Sequence, residues 1–251
     1  MSGHSKWSTI KHKKAALDAK RGKAWSKVSR DITVAARMGG GDPDANPRLR
    51  LSIDKARSVN MPKDNIERAI KKGTGDTDGE SYEELNYEGY GPCGVAILCR
   101  ALTDNRARTG PEVKKLFERG GGNLGAPNSV AWIFSAKGVI LIESGAVSED
   151  ALMELALESG AEDVAAEGSV FEVTCEPDAF LAVKQAIEDA GIAIVSSEVS
   201  MVASNSVQLG YADAKKVMRL LDALDDHDDV QSVASNMDIS DEVAAQLGAD
   251  A

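Results

Sequence analysis

The chain has 251 residues, 43% hydrophobic and 27% charged, a balance that excludes disorder along the whole length. No apolar run approaches the ~20 residues that a bilayer-spanning helix needs, and MSGHSKW has no apolar segment of a secretory signal behind it. The formal net charge of −11 hides a division: residues 1–72 hold 18 Lys/Arg against 7 Asp/Glu (+11), and the remainder carries −22. With a screening length of ~8 Å at physiological salt, an acidic body a few nanometres away would leave the field of the basic part intact.

The first clear helix is predicted from about Gly22 to Met38, ending at Gly39-Gly40-Gly41. Trp25, Val28, Ile32, Ala35 and Ala36 recur at helical spacing, while Lys23, Lys27, Arg30 and Arg37 project from the opposite face. Asn46 is a candidate N-cap with Pro47 behind it, opening a second helix that buries Leu49, Ile53 and Ala56 and ends near Asn60. Pro62 opens a third, which buries Ile66, Ala69 and Ile70 and closes at Lys71-Lys72-Gly73. Residues 73–81 read as a polar linker.

Beyond the linker, strands alternate with helices. Val95–Thr103 is a predicted strand, and Thr109–Arg119 a helix opened by a capping box at Thr109 and Glu112. GGGNLG at 120–125 reads as a flexible loop, and Ser129–Phe134 as a strand. Gly138–Glu143, Ser148–Ser159, Val164–Glu167, Val170–Cys175, Asp178–Ala190 and Ile192–Val202 follow in the order β-α-β-β-α-β, which is ferredoxin-like. A helix at Asp213–Leu224 and a strand at Val230–Ala234 then remain, and they complete the strand-helix-strand set at 95–134. The expected class is α+β: an N-terminal three-helix bundle followed by two ferredoxin-like α/β domains, one inserted in the other. The expected boundaries are 1–78 for the basic helical domain, 79–136 with 205–251 for the discontinuous one, and 137–204 for the insert.

The first 37 residues are the most informative for function. Within residues 3–23, Lys6, Lys11, Lys13, Lys14, Lys20, Arg21 and Lys23 are interleaved with Trp7, His4 and His12, and only Asp18 opposes them. Cations release phosphate counterions and an aromatic ring can stack on an unpaired base, so this pattern suits nucleic acid. A solvated tail would read the same by composition; the continuation of the cations onto one helix face favours binding. The second and third helices could pass for a helix-turn-helix, a pattern any basic three-helix bundle offers. Arg106 and Arg108 in the DNRART turn could equally touch phosphate or pair with nearby carboxylates. Asp225-Asp226-His227-Asp228-Asp229 reads as solvated charge at a helix end. His4, His12 and His227 form no metal motif, no nucleophile elbow occurs, and Cys93, Cys99 and Cys175 form no Cys-x-x-Cys. An odd cysteine count argues for a reducing compartment, hence the cytoplasm. Neither a catalytic residue nor a cofactor or metal is expected.

Several segments together resemble the YebC family, whose mitochondrial relatives include the translational activator of cytochrome c oxidase. They are GHSKW (3–7), IKHKKAALDAKRGKAWSK (10–27), GGGDPDANPRLR (39–50), NMPKDNIERAI (60–70), YEGYGP (87–92), DNRART (104–109), GGNLG (121–125), SVAWIF (129–134), GAEDV (160–164) and ISDEVA (239–244). The chain departs from that pattern at Asn128, where members commonly have Gly, and at Ala234, where they often have an aromatic residue. The resemblance implies three domains, and a regulator of gene expression that binds DNA or acts on ribosomes stalled at proline runs. Carried onto this sequence, nucleic acid would be contacted by Lys6, Lys11, Lys13, Lys14, Lys20, Arg21, Lys23, Lys27 and Arg30, with Arg106 and Arg108 as further candidates; the cationic pattern itself adds Trp7, His12 and Arg37. The expected partner is nucleic acid, ribosomal RNA before DNA, met on the ribosome by a monomer away from membranes. A DNA-binding transcription regulator and a protein scaffold with a basic docking face are the alternatives.

Overall fold

The computed structural model describes residues 21–75 and 82–249. Three helices come first: α1 (Arg21–Gly39), α2 (Pro47–Ser58) and α3 (Lys63–Thr74). The chain continues as β1 (Glu83–Tyr90), β2 (Ala96–Thr103), α4 (Arg106–Arg119), β3 (Asn123–Leu124) and β4 (Phe134–Glu143). Next come α5 (Glu149–Glu158), β5 (Ala161–Glu167), β6 (Val170–Cys175), α6 (Phe180–Asp189) and β7 (Ile194–Ala203). The last elements are β8 (Val207–Leu209), α7 (Tyr211–Asp225), β9 (Val230–Ser235), β10 (Met237–Ile239) and α8 (Asp241–Ala249).

In the bundle, Val28, Ile32, Ala35 and Ala36 of α1 pack against Leu49, Ile53 and Ala56 of α2 and Ile66 and Ala69 of α3. Trp25 closes the edge of this core, its indole N–H donating to the Val59 carbonyl at 3.0 Å. Asn46 caps α2 by accepting from the Leu49 N–H at 3.1 Å, and its amide donates to the Ala35 and Gly40 carbonyls, tying the start of α2 to the end of α1. Gly73 is not a residue beyond a helix end: α3 runs on to Thr74, and a Cβ at 73 would lie 2.4 Å from the Thr33 carbonyl oxygen. Glycine there lets α1 and α3 approach backbone to backbone. Both α2 and α3 pack along α1 rather than chiefly on each other, so α1 is the central helix of the module.

A four-stranded antiparallel sheet, in the order β3-β1-β2-β9, forms the next layer. Because side chains alternate along β2, Ile97 and Cys99 meet Val113 and Phe117 of α4 and Leu220 and Leu221 of α7. Ala96 and Leu98 face the other way, onto Ile133, Phe134 and Ala234. Residues 129–133 are not a strand but lead through a turn of 3-10 helix (Ala131–Ile133) into β4. GGGNLG is not a loose loop either: β3 pairs with β1, and a Cβ at Gly122 would sit 2.3 Å from the Tyr90 carbonyl oxygen. Strand β1, with three glutamates and a glycine among its eight residues, gives little strand signal and has no counterpart among the predicted elements.

The stretch from β4 to β7 has the expected β-α-β-β-α-β order and makes its own antiparallel sheet, β5-β6-β4-β7. Ile140, Ile142 and Val173 pack there against Leu152 of α5 and Val183 and Ile187 of α6. Gly168, at φ +61°, turns the β5–β6 hairpin. The first sheet carries two helices on one face in the same way, reached by a different path: the β1–β2 hairpin comes first, and a parallel β8–β10 pair closes the end. Among the described residues no helix is long and apolar enough to cross a membrane.

Candidate nucleic-acid interface

Of the residues proposed to meet nucleic acid, Lys6, Trp7, Lys11, His12, Lys13, Lys14 and Lys20 lie outside the described residues. Arg21 is the first residue of α1, and Arg37 stands exposed in its last turn. The other α1 cations do point away from the bundle core and all meet the acidic end of α7, Lys27 and Arg30 half-buried there and Lys23 still exposed. Lys23 donates to the Asp226 carbonyl at 3.2 Å and lies 3.9 Å from the Asp228 carboxylate. Lys27 donates to the Asp225 carbonyl, and Arg30 to the Asp228 carbonyl and, at 3.2 Å, to Oδ1 of Asp229. The C-terminal end of α7, where unpaired carbonyls concentrate partial negative charge, thus meets the cationic face of α1. The acidic part is in contact with the basic part, not nanometres away: 225–229 docks through its backbone carbonyls and the buried Asp229, while Asp226 and Asp228 remain exposed helix-end charge.

Asp229 anchors that loop. It is 3% exposed and accepts from Thr109 Oγ1 at 2.7 Å and from Arg108 Nη2 at 2.8 Å, with Thr103 Oγ1 at 3.3 Å. Burial pushes its carboxyl up, but the Arg108 and Thr109 hydrogen bonds and the Arg108 and Arg30 charges outweigh it, leaving the group below the ordinary range. Arg108 also bonds Asp104 at 2.9 Å, so of its two readings this geometry realises the carboxylate pairing. Both arginines of DNRART lie within α4, which begins at Arg106, and Asn105 caps it by accepting from the Arg108 N–H at 3.1 Å. The capping box expected at Thr109 does not form, because Thr109 is buried inside the helix on Asp229.

A second seam joins bundle and sheet. Arg100 of β2 reaches Asp31 of α1 at 2.9 Å and Glu84 of β1 at 3.1 Å, and Glu84 also takes Arg48 of α2 at 2.8 Å. Tyr82 offers its ring to Arg30 and Lys72 at 6.0 and 5.8 Å. Leu51 of α2 leans on the core of the inserted domain, and Lys184 lies 3.9 Å from Asp54.

Comparison with known proteins fits this architecture. Residues 5–76 match the TACO1/YebC protein N-terminal domain, and residues 82–237 match the TACO1/YebC second and third domain. The chain belongs to the TACO1/YebC family. It is 57% identical over 97% of its length to a probable transcriptional regulatory protein of Desulforapulum autotrophicum, covering 98% of that protein. A protein of the same description from Geobacter sulfurreducens is 53% identical, with 98% of this chain and 100% of that one covered. The crystal structure of a conserved hypothetical protein, Aq1575 of Aquifex aeolicus, superposes with a TM-score of 0.81 at 46% identity, over 90% of this chain and 94% of that one.

Segments that carry the TACO1/YebC resemblance, distant in sequence, meet in space. Glu88 of YEGYGP is buried and accepts from the backbone N–H groups of Asn128 (2.7 Å), Val130 (2.8 Å) and Ala131 (2.7 Å), the last two in SVAWIF. Asn128 stands at φ +65°, a left-handed conformation that glycine adopts without strain and asparagine tolerates better than most other residues. Trp132 is held by this loop, its indole N–H on the Ser129 carbonyl at 3.2 Å, and is 72% exposed. Two cations were missed by sequence reasoning: Lys115 and Arg119 on α4, exposed on the wall facing Lys23 and Arg30 across a cleft. Their spacing from Arg108 (i+7 and i+11) places all three on one helix face, a signal that was legible.

Proposed function

We propose that this chain is a non-enzymatic, nucleic-acid-binding regulator of gene expression that works on the ribosome, docking on ribosomal RNA through its basic N-terminal module and relieving stalls at proline runs. The observation that carries the reading is the segregation of charge, +11 in residues 1–72 against −22 in the rest, in a TACO1/YebC chain. Prolyl residues react slowly because their geometry is poor, and a bound protein can restore positioning without supplying a reacting side chain. Cations and an aromatic residue ahead of α1 suit the irregular phosphates and unpaired bases of folded RNA. The test is a pair of translation reporters, with and without a proline run, in cells that have or lack the protein. Loss of output is expected only for the proline reporter in the deleted cells; equal output from both reporters in those cells overturns the reading.

A DNA-binding transcription regulator is the second reading, favoured by the description of the bacterial relatives. It requires a recognition helix. Against that role, α2 and α3 pack on α1 rather than as a pair, and α3 engages its own charges, with Lys63 3.7 Å from Glu67 and Arg68 donating to the Asp64 carbonyl.

A further inference from the structure

The cleft between α1 and α4, about 630 Å³, is walled by Lys23 and Arg30 on one side and by Arg108, Lys115 and Arg119 on the other, with residues 226–229 between them and Glu112 of α4 taken up by His227 at 3.0 Å. The cations differ in what they already hold. Arg30 and Arg108 are tied to Asp229, and Lys23 to the 225–229 loop, whereas no carboxylate of a described residue lies within ion-pair distance of Lys115 or Arg119. These two stand one helical turn apart, about 6 Å along the axis, a spacing that successive phosphates of an extended strand can match. The outer part of the acidic loop is weakly held: the Lys23–Asp228 pair spans 3.9 Å between side chains 56% and 70% exposed. Asp229 beneath it is buried and fixed.

We propose that the cleft face of α4 is a docking surface for a single RNA strand. Lys115 and Arg119 make its first phosphate contacts, and the strand displaces Asp226 and Asp228 from Lys23. The proposal rests on the nucleic-acid reading above and adds to it a second wall and a built-in competitor. A groove with cations on both walls follows one backbone, as single-strand sites do.

The test is fluorescence anisotropy of a labelled mixed-sequence single-stranded RNA on the full chain between 50 and 300 mM salt. Lys115→Glu is expected to weaken binding about tenfold, and the double change with Arg119→Glu to reduce the salt slope by about 1.4, at ~0.7 per lost phosphate contact. Lys114→Glu is the matched control: it makes the same charge change on the same helix, but that side chain lies roughly 120° from the face shared by Arg108, Lys115 and Arg119 at ~100° per residue and pairs with Glu118. It is expected to stay within twofold of the wild type. Asp226→Asn with Asp228→Asn is expected to tighten binding severalfold. Equal weakening by Lys114→Glu and Lys115→Glu, or no change with Lys115 and Arg119 both reversed, overturns this proposal alone. A wild-type chain that binds no RNA overturns the nucleic-acid reading with it.

Discussion

Glu88 is a buried carboxylate whose partners are three backbone N–H groups. Burial alone would raise its pKa; the bonds from Val130, Asn128 and Ala131 favour the charged form and bring it below the ordinary range. A depressed folded pKa means that its contribution is full above the unfolded value and fades as pH falls through the folded one. Glu88→Gln keeps the shape but turns one acceptor into an NH2 donor facing a backbone N–H. A loss of about 2 kcal/mol at neutral pH is expected in urea unfolding, and the gap to the wild type should narrow in acid, as pH falls below the ordinary carboxylate range and Glu88 itself begins to protonate. A constant gap would mean that Glu88 does not act through its charged form. The Glu88 anchor was not legible in YEGYGP, because an acidic residue in a strand-edge segment looks solvent-facing until the 128–131 loop folds over it.

Helix α1 has two working faces, and the sequence displays only one of them. Val28, Ile32, Ala35 and Ala36 announce the bundle core by their spacing, and they are found there. Lys23, Lys27 and Arg30 announce charge but not its partner, since hydrophobic periodicity says nothing about an acidic loop some 200 residues later. Asp31 is also buried, although charged, because Arg100 of β2 reaches over it, and Thr33 is buried against α3, its hydroxyl donating to the Ala69 carbonyl at 3.3 Å. Reversing Lys27 and Arg30 to Glu would set like charges against Asp225, Asp228 and Asp229. The expected result is undocking of the bundle at a cost of about 2 kcal/mol, with helix content preserved. Small-angle scattering should show a larger radius of gyration and hydrogen exchange should quicken in α1; an unchanged radius would show that the Arg100 seam suffices. A loss of RNA binding in that variant would therefore be ambiguous, which is why Lys115 and Arg119 make the cleaner probe.

Across the whole molecule, carboxylates do much of the joining. Glu84, Glu88 and Asp229 each sit in a site where burial opposes ionisation, and hydrogen bonds with neighbouring cations or backbone N–H groups overcome it, so all three titrate below their ordinary values. Each stabilises fully above its unfolded pKa, about 4, and ceases to do so below its folded one. Thermal melts should therefore hold steady from pH 7 to about 5 and then fall steeply toward pH 2, and Asp229→Asn should flatten part of that fall. A flat profile through pH 3 would contradict the assignment. By itself the sequence determined the bundle, the β-α-β-β-α-β insert, the unequal distribution of charge and the family, because periodicity, capping residues and composition are local properties of the chain. Only the tertiary structure decided which charges remain open to a ligand. Pairing joins residues such as Lys27 and Asp225 across some 200 positions, and no local pattern encodes the fold that brings them into contact.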